Sequence, residues 1–120
     1  MLNSFRALII AGLMCAVAFA HDITGKWTFN VETSAGSGTP TFVFKQAGEK
    51  LTGTYNGTFG SAELTGTVKG DNIEFTFEAQ VGDQKGKVVY KGKIAGPDKM
   101  SGDVDYAGLG QGSWTGTKQQ

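Results

Sequence analysis

Residues 51–70 read LTGTYNGTFGSAELTGTVKG. The stretch says nearly the same thing twice, LTGTYNG and then LTGTVKG, and each copy alternates with the period of two that sends successive side chains to opposite faces of a strand. Leu51 and Tyr55 share one parity in the first copy, as Leu64 and Val68 do in the second. At the centre of each copy that same parity holds a glycine, Gly53 or Gly66, a residue depleted from strand interiors. A core-facing position with nothing to pack needs a physical reason, and that reason decides the fold.

The same rhythm extends outward in both directions. Alternation bounded by Gly, Asn, Asp or Pro predicts eight strands, at residues 23–31, 41–46, 50–55, 62–69, 72–80, 86–95, 99–106 and 113–118. No window keeps a helical period over three turns. One parity of each strand is apolar: Ile23, Trp27, Phe29, Val31; Phe42, Phe44; Leu51, Tyr55; Leu64, Val68; Ile73, Phe75, Phe77; Val88, Tyr90, Ile94; Met100, Val104, Tyr106; Trp114. The other parity is mostly Thr, Lys, Glu and Asp, so one face is buried and the other wet.

Gly25, Gly53, Gly66, Gly92, Gly102 and Gly116 all fall on the buried parity. A closed sheet explains them: opposing aromatics fill a narrow interior only if some inward positions are empty, and inward glycine lets a strand coil sharply. The expected fold is a single eight-stranded antiparallel up-and-down β-barrel, with a β-sandwich as the alternative. In such a meander alternate connections lie at opposite ends. ETSAGSGTP, NGTFGS, VGDQK and AGLGQG are long and would surround a mouth; AGE, Gly70-Asp71 and GPD are short and read as tight hairpins closing the other end.

Residues 1–20 are expected to be a secretory signal: Arg6, an apolar run from Ala7 to Val17, then Ala18-Phe19-Ala20, which fits small-x-small cleavage. The domain proper is residues 21–120, secreted to a periplasmic or extracellular space, with no stable membrane insertion once the leader is removed. Met14 before Cys15 does not fit a lipid-bearing cysteine. Cleavage would remove the only cysteine and the only arginine of a chain with eleven basic and eleven acidic residues. The remainder is nearly neutral, which argues against nucleic acid as a partner.

With these residues in place, TGKW at 24–27 resembles the Gly-x-Trp opening of the calycins, the barrels that include lipocalins and avidins. ITGKW and LTGTY resemble the first and third avidin strands, and YKGKI and SWTGTK the later ones. The chain is also similar to small uncharacterised exported bacterial domains, a likeness that implies no activity. The avidin resemblance implies that Tyr55 matches the tyrosine that hydrogen-bonds biotin. The rest of that site departs from the pattern, with Phe29 where avidins place a polar ligand contact and phenylalanines in IEFTFEA where they place tryptophans. Calycins commonly hold a cation over the first-strand tryptophan, which implies Lys118 near Trp27, and Gly25, Trp27 and Lys118 are the expected structural positions.

No catalytic residue, metal ligand set or cofactor is expected. His21 is the only histidine, and Asp103, Asp105, Glu74 and Glu78 share the outward parity beside lysine or threonine, as solvated cross-strand charges do. All aromatics beyond residue 20 except Phe59 lie on the inward parity. Tyr55, Phe77, Tyr106 and Trp114 fall at strand ends toward the long connections, with Phe59 and Leu109 at loop tips above them. Together they predict a rim for a small hydrophobic or aromatic ligand. The alternative is a solid-core structural or interaction domain with no small-molecule ligand, using an outer face that includes Val43 and Val89. The pattern specifies no protein partner.

Overall fold

The structure, a computed structural model, describes residues 22–34, 36–81, 83–106 and 110–119. The expected signal segment and Leu109 lie outside the described residues. Nine strands form: β1 (Gly25–Thr33), β2 (Gly36–Gly38), β3 (Thr41–Ala47), β4 (Lys50–Gly57), β5 (Gly60–Lys69), β6 (Asn72–Val81), β7 (Gln84–Gly96), β8 (Lys99–Tyr106) and β9 (Gln111–Lys118). All neighbours are antiparallel, and β9 returns to pair with β1 from Trp27↔Lys118 to Thr33↔Gly112, closing the sheet. β2 and β3 hold one register on β1, with Val31↔Gly38 above and Trp27↔Phe42 below. They are one strand interrupted at Thr39 and Pro40, so the barrel is eight-stranded, as its alternation predicts.

The expected set of long connections is corrected. Thr33 pairs with Gly36, Gly57 with Gly60 and Val81 with Gln84, so three of the four reverse in two residues. Glycine, serine and threonine there continue the ladders through main-chain hydrogen bonds, which need no apolar side chain and therefore leave no alternation to read. Only the connection between Asp105 and Gln111 remains longer, with the Tyr106 N–H donating to the Gly110 carbonyl at 2.8 Å. At the opposite end the turns after β3 and β5 use positive φ at Gly48 (63°) and Gly70 (59°), conformations that cost other residues more.

The interior is the expected parity almost residue for residue. Ala79 joins it, and Tyr106 is half-buried at the rim instead of fully enclosed. Rings from opposite walls meet: Phe42 of β3 lies 5.5 Å from Tyr90 of β7, and Phe29 of β1 lies 6.2 Å from Phe75 of β6. Stacked pairs Phe29–Trp114 (4.5 Å) and Phe75–Tyr90 (4.8 Å) fill the middle of the barrel. The inward glycines divide into two kinds. A Cβ placed on Gly116 would lie 2.6 Å from the Phe29 ring, so this glycine makes room for an aromatic, and one on Gly92 would meet both the Ser101 carbonyl oxygen at 2.2 Å and the Trp114 ring at 2.6 Å. On Gly53, Gly66 and Gly102 it would instead strike a carbonyl oxygen of the adjacent strand at 2.0, 2.0 and 1.9 Å. Those three allow neighbouring backbones to close up where the sheet bends, which answers the question posed by Gly53 and Gly66.

Candidate functional site

At the end of the barrel where β4 turns into β5, a partly open cleft of about 420 Å³ is lined by Val31, Thr33, Gly36, Ser37, Gly38, Pro40, Tyr55, Thr58, Phe59 and Tyr106. Its existence follows from chain lengths. The β2–β3 strand continues up to Gly36, but its neighbour β4 reverses after Gly57, so the wall above that turn is missing on one side. Phe59 sits in the turn and its ring meets Tyr106 edge-on at 5.6 Å.

Three hydroxyls organise the floor. The Phe59 N–H donates to the Tyr55 hydroxyl at 3.3 Å, tying the turn to the rim. Gly57 is required there, because a Cβ on it would lie 2.5 Å from the Tyr55 hydroxyl and 3.0 Å from Pro40. Below, the Tyr90 and Tyr106 hydroxyls share a hydrogen bond of 2.9 Å. Burial pushes all three phenols above the ordinary tyrosine range, Tyr90 the furthest because it is the most deeply enclosed and its hydroxyl is bonded to Tyr106. The tyrosines are neutral hydrogen-bonding groups, and among the described residues no charged side chain lines the cleft.

Tyr55, Phe59 and Tyr106 are therefore brought together as the sequence pattern expects. Phe77 and Trp114 are not on the rim. Phe77 lies beneath Tyr55, stacked at 4.3 Å, and Trp114 is enclosed against Phe29 with its indole N–H donating to the Asp103 carbonyl at 2.9 Å. Both were expected at strand ends, but Phe77 lies four positions before the end of β6 at Val81 and Trp114 three positions after the start of β9 at Gln111, which puts both down in the core. The wall formed by Val31, Gly36–Gly38 and buried Pro40 carried little advance signal. Pro40 interrupting an otherwise extended segment was the available clue.

The outward carboxylates occupy a different surface. Glu78 stands opposite Lys87, Glu74 opposite Lys91 and Lys91 opposite Asp103 on the outer face, the arrangement of solvated cross-strand charges. Among the described residues no group of three His, Cys, Asp or Glu gathers as a metal site would require. At the closed end, Lys118 stands opposite Trp27 in register, and its side-chain carbons run beside Gly25.

No protein-family model matches the chain, and no curated protein matches it. Among solved structures it is similar to a redesigned β-barrel, b11L5F_LGL, with a TM-score of 0.67 and 16% identity over 82% of this chain and 92% of that one. It is also similar to the redesigned β-barrel mFAP1 bound to DFHBI, with a TM-score of 0.60 and 12% identity over 81% of this chain and 94% of that one. At these identities the likeness is one of fold. The class is thereby fixed: this is a closed, eight-stranded antiparallel barrel of calycin-like topology.

Proposed function

We infer that the protein is an exported, non-catalytic barrel that binds a small uncharged hydrophobic or aromatic molecule in the cleft beside Tyr55, Phe59 and Tyr106. The observation that carries this reading is the cleft itself: about 420 Å³, walled by rings and aliphatic carbons, with a few neutral polar groups and no charge among the described residues. That is the composition of a site that takes apolar ligands and orients them through one or two hydrogen bonds. A barrel of the same fold, mFAP1, is bound to DFHBI, which supports the fold's capacity to carry a ligand. The expectation of export rests on the apolar run and small-x-small pattern of residues 7–20.

A second reading has its own observation. Rings from opposite walls fill the barrel at mid-height, as in a solid-core domain that works through its outer face. Val43, exposed at 46%, and the open outer groove beside Val89, Lys91 and Asp103 would then be the contact surface. Native mass spectrometry of protein purified from its own source separates the two. A retained uncharged small molecule, lost in Phe59→Ala, is the expected result. A bare polypeptide mass that is unchanged after incubation with apolar aromatics supports the solid-core domain instead.

A further inference from the structure

The cleft has a second kind of wall, and it is main chain. Antiparallel pairing alternates residues whose N–H and C=O face the partner strand with residues whose groups face away. Two bonds fix that alternation on β1: the Phe29 N–H donates to the Pro40 carbonyl at 3.0 Å on one side, and the Ser34 N–H donates to the Gln111 carbonyl at 3.1 Å on the other. Val31 and Thr33 therefore face β2 and pair with Gly38 and Gly36, while Ser37, opposite Glu32, turns its N–H and C=O away from β1. Among the described residues β2 has no other strand neighbour. What stands across the gap is the β4–β5 turn, whose Thr58 hydroxyl is 3.7 Å from where a Cβ on Gly38 would lie. Ser37 thus presents an adjacent main-chain donor and acceptor at the edge of a cleft whose far side is Tyr55, Phe59 and Tyr106.

We propose that this edge selects the ligand's chemistry: a neutral, planar molecule carrying a secondary lactam, whose own N–H and C=O pair with the C=O and N–H of Ser37 while its ring lies against Phe59 and Tyr106. The proposal rests on the binding reading above and names the class of molecule for that site. An extended peptide uses the same edge chemistry when it adds a strand to a sheet. Here the free segment is only Gly36–Gly38, bounded by the reversal after Thr33 and by the Gly57–Gly60 turn. That is too short a ladder for an added strand, whereas about 420 Å³ falls within the range of small-molecule pockets. The uncharged lining of the described residues disfavours ionised ligands on desolvation grounds.

The test uses three probes of similar size: the bicyclic lactam carbostyril, N-methylcarbostyril and naphthalene, titrated into isotope-labelled protein and followed by two-dimensional amide NMR. Carbostyril is expected to bind about tenfold more tightly than its N-methyl derivative, the scale of one well-made hydrogen bond. The Ser37 amide should move downfield with carbostyril alone. Ser37→Pro removes the donor to the lactam carbonyl without removing a bond to β1 and is expected to weaken carbostyril several-fold while leaving naphthalene unchanged. Because proline can itself alter the edge, the Ser37 amide shift in the wild-type protein is the independent readout. Equal affinities for carbostyril and N-methylcarbostyril, with Ser37 unmoved, overturn the lactam assignment and leave the mouth site standing. If none of the three probes perturbs Tyr55, Phe59 or Tyr106, both readings fall.

Discussion

The two ends of the barrel are made by the same strands and finish them in opposite ways. At the closed end each short turn is tied to a neighbouring strand: the Glu49 carbonyl accepts from the Val68 N–H, Asp71 from Ile94 and Asp98 from Lys118, at 2.7 to 3.0 Å. Ile23 folds under the core, its N–H donating to the Gln46 side chain and its carbonyl accepting from the Trp27 indole. At the mouth, β4 reverses early, Ser37 faces outward, and the tyrosine hydroxyls bond to one another or to a turn. The difference teaches that closure depends on where the polar tips of aromatic side chains find partners. Trp27 finds its partner in main chain folded under the core, whereas Tyr55 finds its partner in a turn and Tyr106 in the hydroxyl of another tyrosine.

The largest effect should separate the ends directly. Trp27→Ala leaves a cavity beneath a fully enclosed indole and strands the Ile23 carbonyl, and should cost about 4 kcal/mol in chemical denaturation. Phe59→Ala, on a half-buried ring at the mouth, should cost about 1 kcal/mol and weaken ligand binding. If the two losses were equal, the mouth would be as integral to the core as the closed end, and the comparison would collapse.

Next in size is a pair of glycines. Gly102→Ala drives a methyl into the Lys91 carbonyl, where a Cβ would sit at 1.9 Å, and should cost about 3 kcal/mol as the two strands are forced apart. Gly96, after the irregularity at the end of β7, has nothing within 4 Å of a Cβ, and Gly96→Ala should stay within about 0.5 kcal/mol. Thermal unfolding of the two variants side by side measures this. Equal losses would mean that the inward glycines serve chain entropy alone and not close approach of strands.

These residues also show how much was legible in advance. Alternation placed the core and the inward glycines, because burial imposes a period of two on any strand with one wet face, whereas the closing pair of Trp27 with Lys118 came from the calycin resemblance. It could not show β2, since Gly-Ser-Gly carries no apolar residue to mark a parity, and so it read a long loop where a strand continues. An expected start at residue 113, where the strand begins at Gln111, likewise put Trp114 too near the mouth. Side-chain pattern reports which face a residue takes, whereas height in the barrel depends on where main-chain pairing stops, which Gly, Ser and Thr leave unmarked. The cleft depends on that stopping point, so its tyrosines were legible and its Ser37 wall was not.

A smaller, titratable contrast concerns all three tyrosines of the chain, which gather at the mouth. Burial raises each phenol above its unfolded value, so in the window above about pH 10 the folded protein holds protons that the unfolded chain has lost. The stability these groups contribute is complete below that window and declines as pH climbs through it. Phenolate absorbance should therefore rise together with the loss of tryptophan ellipticity, as one alkaline unfolding event. A phenolate signal that develops while the tryptophan signal is intact would show the mouth to be wetter than its packing implies.

The smallest expected effect is at Lys118, where the closed end meets the chain terminus. The calycin resemblance implies a cation held over Trp27, and the register does bring Lys118 opposite that residue. Its side chain, however, has a second use: the stem passes Gly25 so closely that a Cβ there would lie 2.8 Å from the lysine Cε. The ammonium is near enough to Asp22 to add to the lowering of that carboxyl, which comes first from the Thr24 hydroxyl and N–H. If stem packing dominates, Lys118→Met keeps the carbons and should change stability by less than about 0.3 kcal/mol, whereas Lys118→Ala should lose about 0.5 kcal/mol at any salt concentration. A cation over the indole predicts the reverse for methionine, with Lys118→Arg retaining stability and Lys118→Met falling to the level of alanine. Thermal unfolding of the three variants at low and high salt distinguishes a seal made by methylene groups from one made by charge.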